Sequence, residues 1–191
     1  VKRLVTFDHA EAEDVFGHTV VQEWLDKTTV LIMHNAAHDL LWLWESGFKY
    51  DGPVFDTMLV EYVLQRGLKN ASLSLEKCTE RYECATKKQD SLKEHLAKGG
   101  TTYNMNHATL SEYLSADLHA TQQLADKLYT RLHTKEDAGL LRTVDLTNEI
   151  CVCLSRIYQR GFKVDKTALD DVRKEYEQER DELVSSLQEH I

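Results

Sequence analysis

The chain has 191 residues, 42% hydrophobic and 29% charged, ordinary globular proportions for one to one and a half domains. No apolar run approaches the roughly 20 residues that a bilayer-spanning helix needs, so a soluble chain is expected and membrane-spanning or collagen-like readings are excluded; cysteine spacing without a signal peptide adds the expectation of an intracellular one. With 23 Lys+Arg against 32 Asp+Glu the formal charge is −9, so no broad basic surface holds nucleic acid by charge alone; such a role needs a local site.

The chain opens on Val1 rather than Met and runs straight into a strand-like stretch, Lys2 to Phe7, as expected of a piece cut from something longer. The acidic stretch Asp8 to Asp14 reads as a loop. Thr19 to Lys27 is helix-like, and Thr28 to Met33 is a short, continuous, β-branched run expected to form a buried strand. Ala37 to Ser46 is helix-like again, so strand, helix, strand, helix reads as an α/β layer. After the turn Gly47 to Pro53, Val54-Phe55 adds a short strand; Asp56 then caps a helix carrying Met58, Leu59, Tyr62 and Val63 and ending near Gly67. Ser72-x-x-Leu75-Glu76 opens a helix to about Tyr82, and Thr86 to Thr102, polar and glycine-terminated, is the best candidate for a mobile segment.

His107 to Leu132 carries leucines mostly at three- and four-residue steps and reads as one long or broken helix. Helix also follows from about Asp137 to Gln159; Gly161 stops it, and Lys166 to His190 reads as a long solvated helix with Glu175 and Glu179 flanking Arg173 and Arg180. The internal boundary falls around Thr134 to Gly139, giving 1–135 and 136–191 as domains. The cysteines, Cys78, Cys84, Cys151 and Cys153, have neither zinc-pair nor secreted-framework spacing and are expected to be reduced and structural.

Two clusters carry the chemistry. His34-Asn35-Ala36-Ala37-His38-Asp39 directly follows a buried strand, and open α/β sheets build sites at the carboxyl ends of strands. Asp39 falls in the first turn of the next helix, where the dipole also favours a merely structural carboxylate. Tyr113 and Asp117, four apart, share one helical face and address one point in space, although a core tyrosine and a lysine-paired aspartate give the same pattern. A His34/His38/Asp39 metal site is the alternative use of the first cluster. Lys87 and Lys88 suit phosphate contacts as well as a solvated surface pair, and Leu41, Trp42 and Trp44 are expected to be packing residues rather than base-stacking platforms.

Asn35-x-x-x-Asp39 after a strand, Phe55-Asp56-Thr57-Met58-Leu59, and Tyr113-x-x-x-Asp117 about 78 residues beyond Asp39 together resemble the DEDDy 3′–5′ exonucleases, specifically the proofreading domain of family A DNA polymerases. The tail, Glu149-x7-Ile157-x3-Gly161-Phe162-Lys163-Val164-Asp165-x3-Leu169, looks like the passage from exonuclease domain to polymerase thumb. The resemblance implies an RNase H-like α/β fold, here with an incomplete sheet and many helices, followed by an all-helical tail. It also implies hydrolysis of the 3′-terminal phosphodiester of single-stranded DNA with two Mg²⁺ or Mn²⁺ ions held by four carboxylates, two of them Asp39 and Asp117. Tyr113 would orient the attacking water, a phenol with an ordinary pKa near ~10 being no strong base, and Asn35, Lys87 and Lys88 would touch substrate.

The family's first motif, Asp-x-Glu, is absent: only 34 residues precede Asn35, and their nearest acidic pair is Glu11-x-Glu13. The expectation is a fragment lacking its opening strands and its polymerase domain, and inactive alone. A stand-alone exonuclease trimming RNA 3′ ends and a degenerate nuclease-fold scaffold are the alternatives.

Overall fold

The computed structural model describes residues 15–68, 71–84, 90–102 and 104–189. The expected strand Lys2 to Phe7, the acidic stretch Asp8 to Asp14, and Lys87 and Lys88 lie outside the described residues. The chain divides into two compact units, Val1–Ile157 and Tyr158–Ile191.

In the first unit, helix α1 (Val15–Asp26) leads into strand β1 (Leu31–Met33), helix α2 (Ala36–Glu45), strand β2 (Val54–Asp56) and helix α3 (Thr57–Leu64). The strands pair in parallel with Leu31 opposite Val54 and Met33 opposite Asp56, so β1, α2 and β2 form one crossover unit. Of the apolar run from Thr28, only Leu31–Met33 pairs with a strand among the described residues, and the strand is half-exposed rather than buried as expected, with Ile32 46% exposed. Helices α4 (Leu75–Arg81), α5 (Asp90–Ala97), α6 (His107–Leu132) and most of α7 (Leu141–Arg160) complete the unit. The polar segment Thr86 to Thr102 contains α5, and the helix expected to open at Ser72 begins instead at Leu75, capped by Ser74, whose hydroxyl accepts from the Lys77 amide. Helix α6 runs unbroken through all 26 residues.

Alternation along β2 divides the core. Val54 joins Leu25, Ala36, Leu40, Trp44, Phe48 and Tyr50 from the α1 and α2 side. Phe55, pointing the other way, packs against Val60 and Leu64 of α3, Cys78 of α4, and Leu124, Leu128 and Leu132 of α6. Arg156 of α7 closes the first cluster: its guanidinium lies 3.6 Å from the centre of the Trp44 ring and reaches Asp51 Oδ1 at 2.7 Å.

A chain of charges ties the helices of the second cluster. Glu61, fully buried, accepts from the Tyr82 hydroxyl at 2.6 Å and from Arg81 Nε at 3.1 Å. Arg131 donates to the same hydroxyl at 2.6 Å and to Asp137 at 3.0 Å, and Asp137 also takes Arg66 at 2.7 Å. Burial, then the Glu61 carboxylate, push the Tyr82 phenol well above its ordinary pKa, with Arg131 opposing. The four cysteines form no disulfide.

The second unit is helix α8 (Lys166–Gln188), preceded by Gly161 at φ 65 and capped by Asp165, whose Oδ1 accepts from Thr167 N at 3.0 Å and Ala168 N at 3.2 Å. Its ion pairs differ from those the spacing suggested: Arg173 pairs with Asp170, Lys174 with Asp171 and Arg180 with Asp181. Among the described residues no helix is long and apolar enough to cross a membrane.

Candidate active site

The site begins where β1 ends. Asn35 adopts a left-handed backbone, φ 67 and ψ 55, which asparagine tolerates better than most residues and which turns the chain abruptly into α2. Its side chain makes no capping bond. The cap comes from the neighbouring strand: Asp56 Oδ2 accepts from the Ala36 amide at 2.8 Å, while Oδ1 accepts from Asn35 N at 3.0 Å and Met58 N at 2.9 Å. One buried carboxylate thus satisfies the first amides of both α2 and α3, with its charge at the favourable end of each helix. Asp56 is itself held through its backbone amide, which donates to Asn148 Oδ1 at 2.9 Å; Asn148 in turn donates to Val144 O at 3.0 Å. Sequence reading finds the cap on α3 but misses the brace to α2, because no pattern along the chain records which strand lies beside β1.

One turn into α2 stands Asp39, exposed on one side and crowded by protein on the other. Desolvation raises its pKa above the usual carboxylate range; His38 opposes this, and the nearby Asp56 charge reinforces it. The charged form therefore costs folded stability above the raised pKa, a cost that disappears below pH ~3.9, where the carboxyl is protonated folded or unfolded. Asp39→Asn is expected to raise the melting temperature of the metal-free chain slightly at pH 7, by about 1 °C or less because solvent screens this exposed carboxylate, with the gain vanishing toward pH 3. Equal melting at both pH values would contradict this, and differential scanning calorimetry reads it directly.

Tyr113 and Asp117 lie four residues apart on α6, both half-buried, with Oδ1 of Asp117 shielded from solvent. Helix α6 packs against β1, the strand from whose end α2 departs. Among the described residues no three His, Cys, Asp or Glu side chains gather as a metal-binding group. The His34/His38/Asp39 alternative is excluded by His34, whose Nε2 donates to Leu73 O at 3.0 Å while Nδ1 bonds Thr57 Oγ1 at 2.8 Å. His34 fastens loops and has no nitrogen to spare. The packing expectation holds for Trp44, which is buried, and fails for Trp42, which is 65% exposed.

Residues 2–133 match the model of the 3′–5′ exonuclease family. The chain belongs to that family. None of the curated proteins compared with it matches. Membership makes this exonuclease domain a nuclease by class, and domains of this kind generally use divalent metal ions. The residue chemistry suits such ions: Asp39, Asp117 and Tyr113 offer oxygen only, the preference of hard cations, and a cation beside Asp39 would offset the desolvation and the Asp56 charge that raise its pKa.

Proposed function

We propose that this chain is the proofreading region of a family A DNA polymerase, an RNase H-like domain of DEDDy type that removes nucleotides from the 3′ end of single-stranded DNA, running through its helical tail into the start of the thumb. The observation that carries the proposal is the family match over residues 2–133, within which Asn35-x-x-x-Asp39 lies where α2 leaves the end of β1 and Tyr113-x-x-x-Asp117 lies on α6, which packs against β1.

Asp39 and Asp117 hold the metal ions, two Mg²⁺ or Mn²⁺ in the complete site, whose chemistry when bound is to lower the pKa of the attacking water and neutralise charge on the leaving 3′ oxygen. The chain's own contribution is orientation. The rigid α6 face holds the Tyr113 hydroxyl and the Asp117 carboxylate in fixed relation, so that the phenol accepts from or donates to the attacking water and sets its line of approach. The Asp56 brace fixes the first turn of α2 and with it the direction of Asp39. Asn35, at the turn itself, offers a polar contact to the terminal nucleotide, and Lys87 and Lys88 serve the phosphates of the incoming strand.

Mn²⁺ binding followed by its electron paramagnetic resonance signal tests the metal assignment without needing turnover. Asp39→Asn and Asp117→Asn are each expected to weaken binding by about tenfold or more, the lower end of what even indirect changes around a metal site produce. Affinity unchanged by both substitutions would remove Asp39 and Asp117 from the site.

A further inference from the structure

We propose that Trp42 is a stacking platform for a nucleobase of the single strand, set beside the carboxylate of Asp39; the placement of that strand rests on the exonuclease reading above. Three side chains form the exposed face of the first turns of α2: His38, Asp39 and Trp42. Trp42 follows Asp39 by three residues, so its indole lies on the adjoining strip of helix surface, within one turn of the proposed metal ligand. It is 65% exposed, whereas Trp44, two residues on, is 6% exposed and Leu40 is fully buried. The α2 core face is thus filled without it. An indole is a costly group to leave in water, and the same area facing a base is repaid by stacking.

The neighbouring ring leaves room for that. His38 meets Trp42 at 6.4 Å between centroids with planes 70° apart, an edge-to-face arrangement. Whichever ring presents its edge, at least one indole face is not covered by the imidazole. The chemistry suits this protein's overall charge. Phosphate attraction is weak for a chain of net charge −9, so affinity for a single strand has to draw on uncharged contacts, and every base offers a π-face whatever its identity. The platform therefore predicts binding of single strands with little sequence preference.

The probe is oligo(dT) of about ten nucleotides, titrated at low salt with Mg²⁺ into the whole chain while tryptophan fluorescence is read. Quenching is expected in the parent chain and is expected to be largely lost in Trp42→Phe, which removes the indole reporter, leaves Trp24 and Trp44, and preserves an aromatic face. By competition against a labelled strand, Trp42→Ala is expected to weaken binding roughly 5- to 150-fold, with the ratio to the parent unchanged by added salt, while Trp42→Phe recovers most of the loss. Equal quenching in parent and Trp42→Phe, unchanged affinity in Trp42→Ala, or no binding of the strand at all each overturns the platform. Failure of the exonuclease reading looks different: Asp39→Asn and Asp117→Asn would leave Mn²⁺ binding intact while quenching through Trp42 persisted.

Discussion

Asp56→Ala is expected to lower the stability of the first unit by about 3 kcal/mol or more, and its melting temperature by about 6–12 °C. The reason is a count of orphaned groups. The carboxylate takes three backbone amides, those of Asn35, Ala36 and Met58, at 2.8 to 3.0 Å, in a site closed to water. Hydrogen bonds to a charged acceptor contribute about 1.5–3 kcal/mol each, and the amides left behind have no water to turn to. Asn35 also holds a left-handed backbone that the carboxylate helps impose, so its loss frees the turn to relax. Asp56→Asn keeps an acceptor oxygen but loses the charge and turns a donor toward an amide; about half the loss is expected. Thermal melts of the two variants decide it. A shift under 2 °C in Asp56→Ala would mean that the brace contributes little.

The second large effect concerns turnover. These 191 residues contain no Asp-x-Glu ahead of Asn35, so the proposed site has two of its four carboxylates. Changes one shell outside a metal site already cost about 10–100-fold, and removing half of the ligands costs more. The chain alone is expected to trim a 5′-labelled single strand in Mg²⁺ at least ~100-fold more slowly than a longer chain carrying an Asp-x-Glu strand many tens of residues before Asn35. Only the longer chain should lose its rate on Asp117→Ala. Robust trimming by the 191-residue chain that disappears in Asp117→Ala would show that Asp39, Tyr113 and Asp117 suffice, and would end the four-carboxylate account.

What could be read in advance was local. The run Thr28 to Met33, the helices following it, and the stop at Gly161 follow from spacing and side-chain type, and β1, α2 and α6 lie close to where the periodicity puts them. Several of the misses share one cause, a partner distant along the chain. Among the described strands, β1 pairs only over the reach of β2. The second task of Asp56 depended on the strand beside it, and the engagement of both His34 nitrogens on Thr57 and Leu73. Trp42 and Trp44 are the clearest pair: identical side chains two residues apart, one turned into the core with Arg156 over its ring and the other left in water. Composition treats them alike; the phase of the helix separates them. The motifs Asn35-x-x-x-Asp39 and Tyr113-x-x-x-Asp117 were legible because each is internal to one helix or one turn, whereas the site they are proposed to share is a relation between helices.

The alternating line Arg81, Glu61, Tyr82, Arg131, Asp137, Arg66 reaches from α4 through α3 to the far end of α6. Truncating any inner link strands a neighbour: without Tyr82, Glu61 keeps Arg81 and Gln65 but loses its shortest bond, and without Asp137 two guanidinium groups face each other with nothing between them. These positions are therefore coupled in energy: substitutions at adjoining links are expected to depart from additivity, which a double-mutant cycle on Tyr82 and Arg131 would read.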